Sequence, residues 1–253
     1  MIDSKAEIKK SNCLNCGQEV SGNYCSNCGQ KFQPTKVPLR LFLDDVVETL
    51  FTFDNRLFRT LRDLFLKPGK VTIDYLEGRR AKYLPPLRIY LSISVVYFLF
   101  AQFIESDKIL FVNFTQDAES DLNLAKIIQT GLFFLVPVLA LILKAIHRKR
   151  KAFYIEYLIF SVHLHSVWFV FFTIQLLIGY LVTILGDGLS STVNNALSIF
   201  GELFQFGAMI FLIISVKKVF GENWLKAILK SISALFIYLL SLGLVTFLAI
   251  WFL

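Results

Sequence analysis

Long apolar runs separated by short polar loops occupy the chain from residue 87 onward. The longest run, 153–185, contains 33 residues, and Glu156 is its single formally charged side chain. A helix of that length would be about 50 Å long, whereas the hydrocarbon core of a bilayer is about 30 Å thick. This run therefore predicts a membrane-spanning helix around which the rest of the chain is arranged.

The same apolar pattern predicts an all-α, polytopic membrane fold with five transmembrane helices. The predicted spans are 87–104, 127–146, 153–185, 196–216 and 232–252. Pro137 lies inside the second span and predicts a kink there, because proline removes a backbone donor and clashes with the preceding turn. Residues 87–253 are thus expected to form a transmembrane bundle.

A different pattern precedes the bundle, at residues 39–86. Two amphipathic helices are predicted over 39–66, and a third short helix over 71–77. On the second helix the apolar side is formed by Leu57, Phe58, Leu61, Leu64 and Phe65, and the polar side by Arg56, Arg59, Arg62 and Asp63. Apolar stripes with basic flanks beside a membrane entry favour helices lying in the interface, and a small soluble domain is the alternative.

Charge patterning predicts the orientation in the membrane. The net charge is +7, and 24 of the 26 Lys and Arg residues fall on alternate loops, including the segment before residue 89. The positive-inside rule makes that side cytoplasmic, which gives a cytosolic N-terminus and an external C-terminus in a cell inner membrane. Because loop placement accounts for the basic residues, the charge does not indicate a nucleic-acid partner.

Residues 1–38 hold all four cysteines of the chain, followed by a linker. The cysteines form two CxxC pairs, Cys13 with Cys16 and Cys25 with Cys28, and a glycine follows each pair. Two such pairs supply four thiolates in a tetrahedron, which is the closed geometry of structural zinc. A zinc ribbon is therefore predicted at 13–30.

The four cysteines have three other interpretations: an iron site, a redox-active motif and disulfide bonds. Iron in a rubredoxin-like site has the same ligand spacing and remains open as the less favoured metal. A redox-active CxxC motif usually occurs as one pair near a βαβ pattern, which this sequence lacks. Disulfides are disfavoured because the expected location is cytosolic.

Three stretches of the chain resemble a bacterial family of membrane proteins built on a domain of unknown function. These stretches are CLNCGQEVSGNYCSNCGQKF (13–32), FDNRLFRTLRDLFLKPGKVTIDYLEGRRAKYLPPLRIYLSIS (53–94) and IEYLIFSVHLHS (155–166). The resemblance implies an N-terminal zinc ribbon, a basic juxtamembrane segment and several transmembrane helices, and it implies no established activity. Tyr157 stands where the family places a histidine, which weakens any metal or proton role at that position.

The basic juxtamembrane segment offers a candidate site for lipid or phosphate. Arg79, Arg80, Lys82 and Arg88 lie just before or at the first span. Basic side chains at the cytoplasmic face attract anionic headgroups, by about 1 kcal/mol per charge. The alternative is ordinary positive-inside anchoring without a specific ligand.

Ionisable residues inside the spans form a second set of candidates. They are Glu156, His163 and His165 in the third span and Glu202 in the fourth. Glu156 and His163 share a helix face, whereas His165 is rotated about 200° from His163, so the two imidazoles cannot bind one ion from a regular helix. Proton handling, or a metal site shared with another helix, is weighed against structural hydrogen bonds.

The sequence favours a non-enzymatic scaffold or assembly factor that contacts a cytosolic protein partner or anionic lipid. The first alternative is a transporter or lipid-handling protein using the basic segment and the intramembrane groups. The second is an intramembrane enzyme with a His/Glu site. Enzymatic activity is not favoured, since the chain lacks a hydrolase elbow, a P-loop and a dinucleotide-binding fingerprint.

Overall fold

A computed structural model describes residues 11–31, 56–104, 130–185 and 191–252. Residues 32–55, which hold most of the predicted linker and the first part of the two amphipathic helices predicted over 39–66, lie outside these residues, as does the start of the predicted second span. The described chain is mainly helical, with a short hairpin near the N-terminus. Its elements are β1 (Ser11–Asn12), β2 (Glu19–Val20), α1 (Arg56–Leu66), α2 (Lys70–Leu76), α3 (Pro86–Phe103), α4 (Val136–Ile146), α5 (Tyr154–Leu185), α6 (Ser191–Phe220) and α7 (Trp224–Phe252).

Among the residues that the structure describes, three helices are long and apolar enough to cross a membrane. They are α3, α5 and α7, which coincide with the predicted spans 87–104, 153–185 and 232–252. The predicted span 127–146 corresponds to a helical segment at 130–134 followed by the 11-residue α4, and the span 196–216 lies within α6. Neither α4 nor α6 is among the three spanning candidates, so five crossings stay a prediction.

The helix containing Pro137 is interrupted two residues earlier, at Leu135. Proline has no N–H, so the carbonyl of Phe133, four residues before it, loses its helical donor. The hydroxyl of Tyr90 on α3 donates to that carbonyl at 2.8 Å. The helix is therefore interrupted beside Pro137, and a tyrosine from the neighbouring helix satisfies the backbone group that the proline leaves open.

Helix α5 lies at the centre of the bundle, in contact with α3, α4 and α6. Aromatic rings form much of its contact with α3, where Tyr90 and Tyr97 lie 5.9 and 5.1 Å from Phe169. On another face, His165 of α5 hydrogen-bonds the hydroxyl of Tyr238 on α7 at 2.8 Å. The longest apolar run is thus the packing partner of most of the fold.

Helices α1 and α2 with the loop to residue 84, hereafter the juxtamembrane unit (56–84), pack against this bundle. Thr72 of α2 hydrogen-bonds His163 of α5 at 2.9 Å. Gly69 has φ +79°, and a Cβ there would lie only 3.0 Å from Val219 Cγ2 of α6, so a glycine fits this junction. Val71, Tyr75 and Leu84 belong to the same hydrophobic core as the bundle.

Helix α1 departs from its predicted polar and apolar sides. Asp63 was expected on the polar side, but its side chain is only 1% exposed. Conversely, Phe58 from the predicted apolar side is 76% exposed, next to the exposed Arg59. Helical periodicity predicts a single buried face made of apolar side chains. Helix α1 also buries the Asp63 carboxylate, whose partners include Arg62 of α1 and Tyr83 from elsewhere in the juxtamembrane unit.

Candidate metal centre and juxtamembrane charge cluster

The four cysteines lie on two turns of similar backbone geometry, in a segment we call the ribbon (11–31). In the first turn, Gly17 N–H donates to Cys13 O at 2.8 Å, and in the second, Gly29 N–H donates to Cys25 O at 2.9 Å. Strands β1 and β2 flank the first turn as an antiparallel pair. The CxxCG repeat thus folds into two matching turns that face each other.

The sulfur positions fit a tetrahedral metal site. Cys13 Sγ and Cys28 Sγ are 3.6 Å apart, Cys16 Sγ and Cys25 Sγ are 3.5 Å apart, and all four sulfurs lie within 4.8 Å of one another. A metal with sulfur ligands at about 2.3 Å requires sulfur atoms about 3.8 Å apart. The hydrogen bond from the Gln18 backbone lowers the pKa of the Cys16 thiol to about 6, which favours the thiolate that a metal binds.

The ribbon has almost no other core. Its buried apolar cluster consists of Cys13, Val20 and Cys25, with Cys28 packed against them. Such a cluster cannot offset the conformational entropy of some twenty residues, so a metal bound by the cysteines would hold the fold together. Because all four ligand positions would be protein sulfurs, this site suits structure and not catalysis.

One side chain attaches the ribbon to the juxtamembrane unit. Gln30 follows the second CxxCG turn, and its amide oxygen accepts hydrogen bonds from the N–H groups of Arg80 and Ala81 at 2.9 and 3.0 Å. Its amide nitrogen donates to Gly78 O at 2.8 Å. Gly78 has φ +88°, and a Cβ there would come within 2.5 Å of Leu14 of the ribbon. We call these contacts the Gln30 clamp.

The juxtamembrane unit also contains a group of charged side chains around the buried residues Asp63, Asp74 and Tyr83, which we call the charge cluster. The hydroxyl of Tyr83 lies 2.9 Å from Asp63 Oδ2 and 3.2 Å from Asp74 Oδ2. Both carboxylates are buried, and cationic side chains surround them on the outer side. These cations are Arg62 and Lys67 beside Asp63, Lys70 and Arg79 beside Asp74, and Lys82 beside both.

The basic residues singled out from the sequence have different surroundings. Arg79 donates two hydrogen bonds to Asp74 and also pairs with Glu77. The guanidinium of Arg80 lies 5.1 Å from the centre of the Tyr75 ring, and Arg88 is buried in α3. Lys82 is 3.9–4.0 Å from both aspartates. A lipid or phosphate site formed by all four residues stays a prediction.

Acid titration is expected to leave Asp63 ionised to unusually low pH. Burial by itself would raise the pKa of Asp63, but hydrogen bonds from Tyr83, Lys67 and Arg62 outweigh it and lower the pKa to about 2 from 3.8. A lowered folded-state pKa means that the stabilisation is complete above about pH 4 and is lost as the pH falls through about 2. Carboxyl ¹³C NMR of labelled aspartate checks this, and a midpoint at or above 3.8 would contradict it.

The two intramembrane histidines have protein partners on opposite sides of α5. His163 Nδ1 shares a hydrogen bond with Thr72, whereas His165 bonds the carbonyl of Ser161 and the hydroxyl of Tyr238. Glu156 bonds the N–H of Phe153 at the start of α5. Glu202 belongs to α6, and its side chain is outside what the structure describes. Within the described ranges, the four cysteines are the only group of three or more metal-ligating side chains.

Gln30, Asp63, Asp74 and Tyr83 were not among the candidate site residues predicted from the sequence. Gln30 carries a weak local signal, because glutamine follows the glycine in both CxxCG turns. Among the described residues, the Gln30 side chain hydrogen-bonds residues 78–81, whereas the Gln18 side chain is exposed. The three members of the charge cluster lie 9 to 20 residues apart. Charged residues at that spacing carry no periodic signal, so their contact required the fold.

A family model described as a protein of unknown function (DUF3667) matches residues 54–98. The matched segment contains the charge cluster, the residues that Gln30 contacts and most of α3. Comparison with curated proteins and with solved structures gave no match. Residues 54–98 are therefore a DUF3667 domain of unknown function, and the predicted resemblance to a family built on such a domain is confirmed at that level.

Proposed function

We propose that this protein is a membrane-anchored scaffold whose metal-bound ribbon recruits a cytosolic protein partner. The Gln30 clamp carries the proposal, because it fixes the ribbon to the juxtamembrane unit with three hydrogen bonds of 2.8–3.0 Å. A mobile tether would leave the ribbon independent of the membrane domain. The clamp instead makes the ribbon and the juxtamembrane unit one surface at the membrane.

Zinc is the proposed metal, and iron is the alternative with the same four-sulfur ligand set. The proposed location is a bacterial inner membrane with the ribbon on the cytosolic side, supported by the alternation of basic loops. A closed four-cysteine site in a reducing compartment acts as a structural unit. The proposed role is accordingly non-enzymatic.

The partner surface is proposed to include Tyr24. This aromatic side chain is 60% exposed and directly precedes the second CxxCG turn, and the bridge between Tyr24 and Lys31 holds its backbone in place. Tyrosine is enriched at protein interfaces because it combines apolar area with a hydroxyl at little entropic cost. An exposed tyrosine on a rigid, clamped module is suited to such contact.

Photocrosslinking from Tyr24 tests the scaffold proposal. With p-benzoylphenylalanine at position 24, cells are expected to yield a discrete adduct with one protein. Adding Cys16→Ser and Cys25→Ser is expected to abolish the adduct, because the ribbon loses its metal ligands. The same probe at Phe247 of α7, which is 61% exposed, serves as the membrane control. No adduct at Tyr24, or an adduct that survives loss of the cysteines, would overturn the proposal.

The lipid-handling alternative is supported by a groove between α3 and residues 130–134. The groove encloses about 520 Å³, and its lining is largely apolar, with Phe98 and Phe133 among its side chains. Gln102 and Thr130 provide polar groups at the end of α3 away from the juxtamembrane unit. Accumulation of one lipid species by the purified protein, lost on Ser94→Trp within the groove, would favour this alternative over the scaffold.

A further inference from the structure

We propose that Lys67, Lys70 and Lys82 form a binding site for the phosphate of an anionic lipid headgroup. This inference rests on the proposed function, because it adds a lipid contact to the same membrane-anchored scaffold. The buried aspartates of the charge cluster hold cationic side chains in fixed positions. The cations themselves remain partly exposed.

The cluster carries more positive than negative charge. Among the described residues, five cations contact it, and the carboxylates they pair with are Asp63, Asp74 and Glu77, so two positive charges are not neutralised. Both aspartates are at most 3% exposed, so they are held below the surface. The excess charge is therefore presented outward.

The lysines of the cluster also have hydrogen-bond donors left over. Arg62 and Arg79 direct their Nε and Nη2 groups to the aspartates. Lys67 spends one donor on Asp63 at 3.2 Å, and Lys70 lies 3.5 Å from Asp74. Lys82 Nζ is 3.9–4.0 Å from both aspartates, beyond hydrogen-bond distance, and is 37% exposed. These ammonium groups can donate to a phosphate without breaking the cluster.

The depth of the cluster matches lipid headgroups. Tyr83 lies three residues before Pro86, where the spanning helix α3 begins. The neighbouring helix α1 exposes Phe58 and Leu66 beside Arg59 and Arg62, which is the pattern of a helix at a membrane surface. Lysines at this level meet phosphates of the inner leaflet at short range, where each basic charge contributes about 1 kcal/mol.

Lysine acetylation of the full chain in nanodiscs tests the site. Acetylation rates of Lys70 and Lys82 are compared with that of Lys149, an exposed lysine in the loop between α4 and α5. Nanodiscs of phosphatidylcholine alone are compared with nanodiscs containing phosphatidylglycerol. The anionic lipid is expected to slow acetylation of Lys70 and Lys82 by at least about fivefold relative to Lys149.

Two further arms identify the ligand. Lys82→Gln is expected to remove the lipid-dependent protection of Lys70, because both lysines hold one phosphate, whereas the matched change Lys151→Gln, at an exposed lysine in the same loop as Lys149, leaves it intact. Inorganic phosphate added to phosphatidylcholine nanodiscs distinguishes the source. Protection by free phosphate without a lipid effect would overturn the lipid assignment. Protection of Lys149 equal to that of Lys70 and Lys82 would overturn the site. The Tyr24 crosslink does not depend on these lysines, so the two proposals fail separately.

Discussion

Replacing Cys16 and Cys25 with serine is expected to remove the bound metal and to free the backbone of residues 78–81. The ribbon core contains little besides its cysteines. Metal binding supplies on the order of 10 kcal/mol to small four-ligand modules, so the ribbon should unfold without it. Gln30 would then leave its place on Arg80 and Ala81.

Hydrogen exchange at the Arg80 and Ala81 amides measures this effect. The three bonds of the Gln30 clamp, at about 1 kcal/mol each, contribute about 2–3 kcal/mol. Loss of the clamp should therefore accelerate exchange roughly 30- to 150-fold at these two amides. Metal stoichiometry on the same samples should fall from one equivalent to none.

Gln30→Ala separates the clamp from the metal. This variant should retain the metal and yet exchange as fast at Arg80 and Ala81 as the double serine variant. Its matched control is Gln18→Ala, at the equivalent position after the first CxxCG turn, where the side chain is exposed. Protected amides in the serine variant, or loss of metal in Gln30→Ala, would show that the ribbon and the juxtamembrane unit are not coupled in this way.

The parts of the fold that could be predicted from the sequence are those with local or strongly periodic signals. The bilayer requires about twenty apolar residues per crossing, so runs such as 153–185 are visible without any partner. The paired CxxCG turns are equally local, since both cysteines of each turn lie within four residues. The rotation of His163 from His165 also follows from helix geometry, and the two do contact different helices, α2 and α7.

There is a physical reason why the charge cluster could not be predicted from the sequence. Amphipathic analysis assigns charged residues to solvent, because an isolated buried carboxylate is costly. Arg62 and Lys67, which are near Asp63 in the chain, offset part of that cost. The hydroxyl of Tyr83 also offsets it, and Tyr83 follows Asp63 by twenty residues and returns to it because Gly78 ends α2 and turns the chain. The clamp has the same origin, since Gly78, Arg80 and Ala81 lie on that turn.

Asp74→Ala is expected to destabilise the juxtamembrane unit by about 2–3 kcal/mol. The buried carboxylate accepts two hydrogen bonds from Arg79 and lies 3.2 Å from the Tyr83 hydroxyl. Removing one partner of a fully buried ion pair costs about 3–5 kcal/mol. Here the cost should be smaller, because Arg79 and Lys70 are 36% and 44% exposed and can be rehydrated.

Glu77→Ala is the matched control, because Glu77 pairs with the same arginine but is 53% exposed. Exposed ion pairs contribute about 0–1 kcal/mol, so this variant should be close to the wild type. Tyr83→Phe should lie between the two, at about 1–2 kcal/mol, since it removes a hydroxyl buried between two carboxylates.

Pulse proteolysis with trypsin measures these differences in the membrane-embedded protein, because the cleavable residues Arg59 of α1 and Lys70 of α2 are unchanged in every variant. Their exposure reports the population in which α1 and α2 have opened. If Asp74→Ala were cleaved no faster than Glu77→Ala, the buried carboxylates would not be what holds the DUF3667 domain together. The stability of this segment would then have to come from its apolar contacts with α5 and α6, chiefly through Val71, Tyr75 and Leu84.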